Sequence, residues 1–383
     1  MLSLDKQKKY IIWGTGIIAM RFFCSHCEHI SIEYFVDNNV DSEYKNILFN
    51  KEVKNPANID FSGKYVIVAC QNVSTYFEIK KQLCHVGMKE FTDFAYYVFY
   101  EKEIAIIHGN CHTRVIRKML ESSSDFLEHY FIYPIPQVQY LINAKISEDL
   151  LDNVDIFIHE DIQVDNSIGY YVSDEYMYSK LRPDVKNIII PHLFGLGSFM
   201  FPQSEYNPSL CRWAGSKNIT CFVSRDRIID SAILNGYDLK SIKGLIKEQV
   251  FSEEEIKNNF EYYISKIKER ENAWSFRISD YILENYKKEK LFYDQNHPTN
   301  SLLKEISIRI LQELGIQEKD LYADEVLDIN EEFVYECVKK TLDIRWDETI
   351  VRKSLNARRM AAQMDYEQYV REYLYWCHEI VSD

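Results

Sequence analysis

No apolar run in this chain reaches the roughly 18–20 residues that a membrane-spanning helix requires. A membrane-spanning helix is therefore not expected. The first residues, MLSLDKQKKYIIWG, lack the apolar stretch and small-residue cleavage site of a secretory signal, so the expected compartment is the cytoplasm. A basic surplus is missing too. The formal net charge is −14, the wrong sign for a protein that coats nucleic-acid phosphates. A small anionic ligand is still allowed, because a local cluster of arginines suffices for it. The nine cysteines follow no spaced framework, and in the cytoplasm they are expected to be mostly reduced. One stretch, Cys24-Ser25-His26-Cys27-Glu28-His29, imitates half of a zinc site. It falls on a predicted helix, and only Cys84 and His85 offer a second half, so no metal is expected.

What is present reads as a multidomain α/β protein. At 383 residues the chain exceeds one ordinary core, and its 46% apolar and 27% charged residues are those of a globular chain. The opening KKYIIWGTGIIAMRFF is a strand, then Gly14-Thr15-Gly16, then a helix with Ala19 at the third small position. This is G-x-G-x-x-A in its required context, where the helix N-terminus offers free N–H groups to a phosphate. The strand IEYFVD ends at Asp37, close to where such folds place the acid for a ribose hydroxyl. GKYVIVAC and STYFEIKKQLCHVG add a further strand and helix, so a parallel sheet flanked by helices is expected. The segment resembles the small Rossmann-type domains attached to bacterial sugar-modifying enzymes, on its closing Val36-Asp37-Asn38. That resemblance implies a nucleotide or nucleotide-sugar at Gly14, Gly16 and Asp37. No further dehydrogenase signature follows.

A second alternation starts at Glu103. EIAIIH reads as a strand, Gly109 permits a tight turn, and a helix follows. Asn110, Cys111 and His112 fall where strand hands over to helix. A thiol there feels the positive helix end, and a neighbouring imidazolium lowers its pKa further. An amide at that point suits a developing oxyanion. Arg114 and Arg117 follow on the helix. Two more strands end in polar residues: LDNVDIFIHEDI at His159, Glu160 and Asp161, and VKNIIIPHLFG at His192. LFYDQNHPTN then delivers His297 just ahead of a helix. In open α/β sheets, ligands bind beyond the carboxyl ends of the strands.

Gly109-Asn110-Cys111 with Arg114, the strand VDIFIHED, IIIPHLFG and LFYDQNHPT together resemble the WcbI family of polysaccharide biosynthesis enzymes, over roughly residues 103 to 315. The resemblance implies coenzyme A or acetyl-CoA as acyl donor and acetyl transfer to a sugar hydroxyl of a capsular or other surface glycan. It carries the family's glycine-asparagine-cysteine block onto Gly109, Asn110 and Cys111, and its late histidine-proline onto His297 and Pro298. This chain departs from the family at His112 and at His159-Glu160, where glutamine is usual. A more distant similarity, to SGNH-type hydrolases, implies a three-layer α/β domain with cysteine in place of serine.

The expected fold is therefore α/β: a Rossmann-like sheet over residues 1–100, a catalytic α/β domain over 101–320, and a helical extension over 321–383. Ser252 and Glu255 form a capping box for a long helix running to about residue 290. The aromatics of YEQYVREYLYW suit a helical cap or a homo-oligomer contact. The expected site comprises Cys111, His297, Asn110 and His112 for catalysis, with Gly109 and Arg114 for coenzyme A. His159, Glu160 and His192 line the substrate pocket. Arg117, Arg212, Arg225 and Arg227 are further phosphate candidates. Cys111 either takes the acyl group with His297 as base, or shapes the pocket while a histidine deprotonates the sugar. Glu160 or Asp161 orients a histidine. The competing readings are a carbohydrate esterase or deacetylase, and a non-catalytic nucleotide-sugar-binding scaffold of glycan assembly.

Overall fold

The computed structural model describes all residues except 41–45, 142–144, 165–168, 325–326, 328–329, 356–359 and 382–383. Some of the expected C-terminal extension thus lies outside the described residues. The chain divides into two compact units. One comprises Met1–His108, Asp125–Ile158 and Ile162–Asn187; the other comprises Gly109–Ser124, His159–Asp161 and Ile188–Asp383.

The first unit is built on β1 (Lys9–Trp13), β2 (Ser31–Val36), β3 (Asn46–Leu48), β4 (Lys51–Lys54), β5 (Tyr65–Val68) and β6 (Phe94–Tyr96), in the order β3-β4-β2-β1-β5-β6. All pairs are parallel except β3 with β4. Ile11, Ile12, Val66, Ile67 and Val68 are fully buried. Such unbroken apolar runs, in place of alternation, mark strands covered on both faces. The helices α1 (Ile17–His26) and α2 (Val73–His85) make the crossovers. Gly14 has φ +128°, and a Cβ there would stand 2.4 Å from the Ala69 carbonyl oxygen, so only glycine fits. At Gly16, the N-cap of α1, an added Cβ would meet no atom within 4 Å, so the space above it is open. Asp37 follows β2 and accepts hydrogen bonds from Thr15 Oγ1 at 2.6 Å and Asn39 N at 2.9 Å. Gly14, Thr15, Gly16 and Asp37 share a cavity of about 260 Å³.

A four-stranded sheet contains β7 (Glu103–His108), β8 (Tyr130–Ile132), β9 (Ile156–Glu160) and β10 (Lys186–Ile190), in the order β10-β9-β7-β8, with β7 and β8 parallel. Ile104, Ile106 and Phe157 join the same hydrophobic core as Ile11 and Ile12.

The second unit is mainly helical, with two antiparallel strand pairs: β11 (Ser204–Tyr206) with β12 (Ser224–Asp226), joined through the helix Pro208–Ser216, and β13 (Val351–Ser354) with β14 (Ala361–Met364). The last hairpin stands where only helix is expected, since its strands are short and half polar. On the final helix, Tyr366–Val381, the residues Tyr369, Tyr373 and Trp376 recur at helical spacing and pack around Phe222. The expected continuous helix after Ser252 is corrected. It runs from Glu253 to Arg270, breaks, and resumes over Ser279–Asn285. Glu271 stabilises the break: its buried carboxylate accepts from the backbone N–H groups of Ile278 and Ser279, both at 2.6 Å, and from Ser279 Oγ at 2.8 Å. Among the described residues no helix is long and apolar enough to cross a membrane, and no group of His, Cys, Asp or Glu has the arrangement of a metal site.

Candidate active site

β7 stops at His108, and α3 (Cys111–Glu121) begins three residues later with Asn110 as its N-cap. Gly109 is needed here for closeness, not for a left-handed backbone. A Cβ at that position would lie 2.5 Å from Thr113 Cγ2 and 3.0 Å from Glu160 Cδ. Glu160, the last residue of β9 and fully buried, exploits that closeness. It accepts from Asn110 N at 3.0 Å and from Asn110 Nδ2 at 2.9 Å, and its other oxygen meets His112 Nδ1 at 3.2 Å. The opposite ring nitrogen of His112, Nε2, meets the Asn296 carbonyl oxygen at 3.1 Å. A carboxylate and a carbonyl only accept, so the ring donates from both nitrogens and is an imidazolium.

The second histidine is built differently. Residues 291–299 fold back on themselves: Tyr293 N donates to the His297 carbonyl at 2.8 Å, and Thr299 N donates to that of Leu291 at 2.9 Å. Asp294, buried in this loop, accepts from Asn296 N at 2.7 Å and His297 N at 2.8 Å, and its carboxylate meets His297 Nδ1 at 2.8 Å. One carboxylate thus shapes the loop and orients the ring. The two imidazole rings stand edge to face, with centroids 6.5 Å apart, and both act electrostatically on the Cys111 thiol.

The electrostatics follow from this packing. Burial pushes the Cys111 thiol up, but the neighbouring His112 and His297 outweigh it and bring the thiol down to about 6. Burial likewise opposes the charge on His297, yet Asp294 and the thiolate raise it to about 10. His112 is raised well above its ordinary value against the same penalty, by Cys111 and Glu160. Burial works against the Glu160 carboxylate as well, but His112 and Asn110 hold it at about 2. At neutral pH the site is a thiolate between two imidazoliums, each backed by a carboxylate. His192 is pulled down by burial and stays neutral.

The structure brings together Cys111, His112, His297, Asn110, Gly109, Glu160 and His192. His159 is buried and turned onto its own chain, with Nδ1 2.9 Å from the Glu160 carbonyl. Arg114 is exposed on α3. Arg117 and Arg225 are committed to Glu121 and Asp230, each at 2.7 Å. Arg227 donates to the Pro202 carbonyl at 3.0 Å and lies over Phe251. Gly14, Gly16 and Asp37 belong to the first unit and its own cavity. Asp294 and Asn296 are site residues that the sequence reading leaves out. The signal for the first is the Asp-x-x-His spacing ahead of a helix; for the second, whose backbone carbonyl does the work, side-chain chemistry holds no signal. Beside the loop lies a cavity of about 540 Å³ whose walls include Phe194, Tyr206, Tyr262, Arg270 and Asn296.

A family model described as polysaccharide biosynthesis enzyme WcbI matches residues 104–319. A second, described as C2185-like, N-terminal, matches residues 6–92. No curated protein matches the chain. Among solved structures, one of WcbI, described as a novel polysaccharide biosynthesis enzyme, is similar with a TM-score of 0.57. The match covers 73% of this chain and 90% of that one, at 17% identity. That structure is described as the native protein without a disulfide bond between coenzyme A and one of its cysteines.

Proposed function

This chain belongs to the WcbI family of polysaccharide biosynthesis enzymes, and on that footing we propose that it transfers an acyl group, acetyl in the simplest case, from coenzyme A to a sugar hydroxyl through Cys111. The observation that carries the reading is the Cys111 thiolate at the start of α3, held between two imidazoliums. The similar WcbI structure is described as lacking a disulfide bond between coenzyme A and one of its cysteines, a wording that supports the choice of donor.

The residues present suit that donor. Arg114 is exposed one turn along α3 from Cys111, and Arg212 is exposed and electrostatically coupled to Tyr206, which also senses the Cys111 charge. Guanidinium groups match phosphates bidentately, so these two would hold the phosphates. Coenzyme A supplies, when bound, the acyl group as a thioester.

The proton balance closes on this chain's own side chains. Cys111 attacks as the thiolate and needs no base. His297 gives its proton to the departing thiol and is left neutral. Neutral His297 is then the base that takes the proton of the sugar hydroxyl, and expulsion of the Cys111 thiolate restores the starting ion pair. His112 keeps its proton throughout, because Glu160 and the Asn296 carbonyl hold both N–H groups. The α3 N-terminus faces the developing oxyanion.

Calorimetric titration of coenzyme A and acetyl-CoA into wild type and Cys111→Ser tests the donor. Micromolar binding to wild type is expected; its absence would remove the transferase. Hydrolysis, with water as acceptor, would use the same residues, and product analysis with and without coenzyme A separates the two. For the first unit we extend the reading to a nucleotide or nucleotide-sugar in the cavity at Gly14, Gly16 and Asp37, supported by the open space above Gly16.

A further inference from the structure

The cavity beside the catalytic loop has three properties that the acyl-transfer chemistry leaves unused. The first is aromatic surface. Phe194, Tyr206 and Tyr262 are 46%, 38% and 55% exposed, and all three line this one cavity. Phe194 and Tyr206 brace each other edge to face at 5.3 Å, as Tyr262 and Tyr263 do at 5.1 Å. Rings braced from behind and wet in front present flat faces at little conformational cost.

The second is an uncompensated cation. Arg270 has no carboxylate partner among the described residues. Its one bond is long, 3.4 Å from Nη1 to the His192 carbonyl. One turn earlier on the same helix face, Lys266 is already paired with Glu269 at 3.0 Å. Lys266 and Glu269 both line the cavity and offset each other, so Arg270 is the remaining charge of its wall.

The third is an unspent donor. Asn296 is 2% exposed, and its Oδ1 accepts from Gly195 N at 2.9 Å, but its Nδ2 has no hydrogen-bond partner. A buried donor without an acceptor is costly, and such groups are normally satisfied. Asn296 also adjoins the chemistry: it precedes His297 and its carbonyl holds His112.

We propose that this cavity is the acceptor subsite and takes a pyranose that carries a carboxylate. The sugar's C–H face lies on the tyrosine rings, its carboxylate on Arg270, and an oxygen on Asn296 Nδ2. Arginine meets a carboxylate with two parallel N–H bonds, and a volume of about 540 Å³ is that of a small-molecule site. The proposal rests on the acyl-transfer reading of Cys111, because it names that reaction's acceptor.

Binding, measured apart from turnover, tests it. The methyl glycosides of glucuronate, galacturonate, glucose and galactose are examined by saturation-transfer NMR against wild type, Arg270→Gln and Tyr262→Ala. Both substitutions are at exposed positions. Coenzyme A is titrated into the same three proteins. At least one uronide is expected to bind wild type better than its neutral counterpart. Loss of the charge-assisted pair in Arg270→Gln is expected to weaken that uronide about tenfold and to leave the neutral glycosides unchanged. Tyr262→Ala is expected to weaken uronides and neutral glycosides alike. Coenzyme A affinity is expected to be unchanged in both variants. The proposal is overturned if no uronide binds wild type, if the variants bind uronides normally, or if they lose coenzyme A instead, which would make the cavity the donor's. If wild type binds the uronide as described but not coenzyme A, the subsite stands and the transferase reading alone falls.

Discussion

Cys111 owes its ionisation to two neighbours that owe theirs to two carboxylates, and this chain of dependence is testable one side chain at a time. Alkylation reports the thiolate, so the rate of reaction with iodoacetamide should rise with pH through an inflection near 6 and then level off. The sign for a variant follows from the partners. Asp294→Asn removes the carboxylate that keeps the proton on His297, so His297 falls from about 10 toward its ordinary 6.5. A neutral His297 no longer lowers the thiol, and the inflection should move up toward the ordinary 9.0. An inflection near 9 in wild type, or one unmoved in the variant, would contradict this dependence. Gly109→Ala tests the closeness of Glu160. The added methyl meets Thr113 and Glu160 at 3.0 Å or less, so it should cost about 1–3 kcal/mol in urea unfolding and also raise the alkylation inflection, because Glu160 is displaced from His112. Much at this scale is legible in the sequence. Gly109-Asn110-Cys111-His112 and His297 stand out because unusual side chains sit at strand and helix ends. Asp294 does not, since an aspartate in a loop is ordinary until the fold shows its carboxylate holding two backbone N–H groups and an imidazole. Gly109 reads in sequence as a turn residue, because close approach by a residue from another strand leaves no local trace.

At the scale of elements, the strands that carry the site are visible as apolar runs ending in polar residues, and β7, β9 and β10 lie where those runs predict. The short pairs β3–β4 and β13–β14 are not visible, since strands of three or four residues carry no period to read. The Glu253–Arg270 helix shows both outcomes. Its start is legible, because Ser252 accepts from Glu255 N at 3.1 Å while Glu255 accepts from Ser252 N at 2.7 Å. Its end is not, because the helical period continues past Arg270 and only the burial of Glu271 interrupts it. This helix presents Tyr262, Lys266 and Arg270 to the cavity. Ser252→Ala should therefore destabilise the protein by about 1 kcal/mol, measured by urea unfolding, without changing the pH at which Cys111 alkylates. A shift in that inflection would show that the helix and the thiolate are linked beyond the contacts described above.

For the molecule as a whole, acidity and function are reconciled by placement. The chain carries 59 acidic and 45 basic residues, which keeps it from polyanions, while the small anionic ligands proposed above need only a few exposed arginines such as Arg212 and Arg270. The composition makes the first point plain. It cannot show the second, because which arginines are paired with a carboxylate is decided by folding: Arg117 and Arg225, each paired, look no different in sequence from Arg212. The α/β architecture, by contrast, is readable from strand-helix alternation alone, and the G-x-G-x-x-A turn from its context. Even there the two glycines differ, since Gly14 is fixed by its backbone and by Ala69, whereas a Cβ at Gly16 would meet no atom within 4 Å.

The central claim is that Cys111 itself carries the acyl group. Intact-protein mass spectrometry after mixing with acetyl-CoA and quenching in acid tests it most directly, on wild type and Cys111→Ala, with peptide mapping of the adduct. One acetyl group is expected on Cys111 in wild type and none in Cys111→Ala, with loss of acetyl transfer in that variant. Acetyl transfer to sugar at a near-normal rate by Cys111→Ala would contradict the claim.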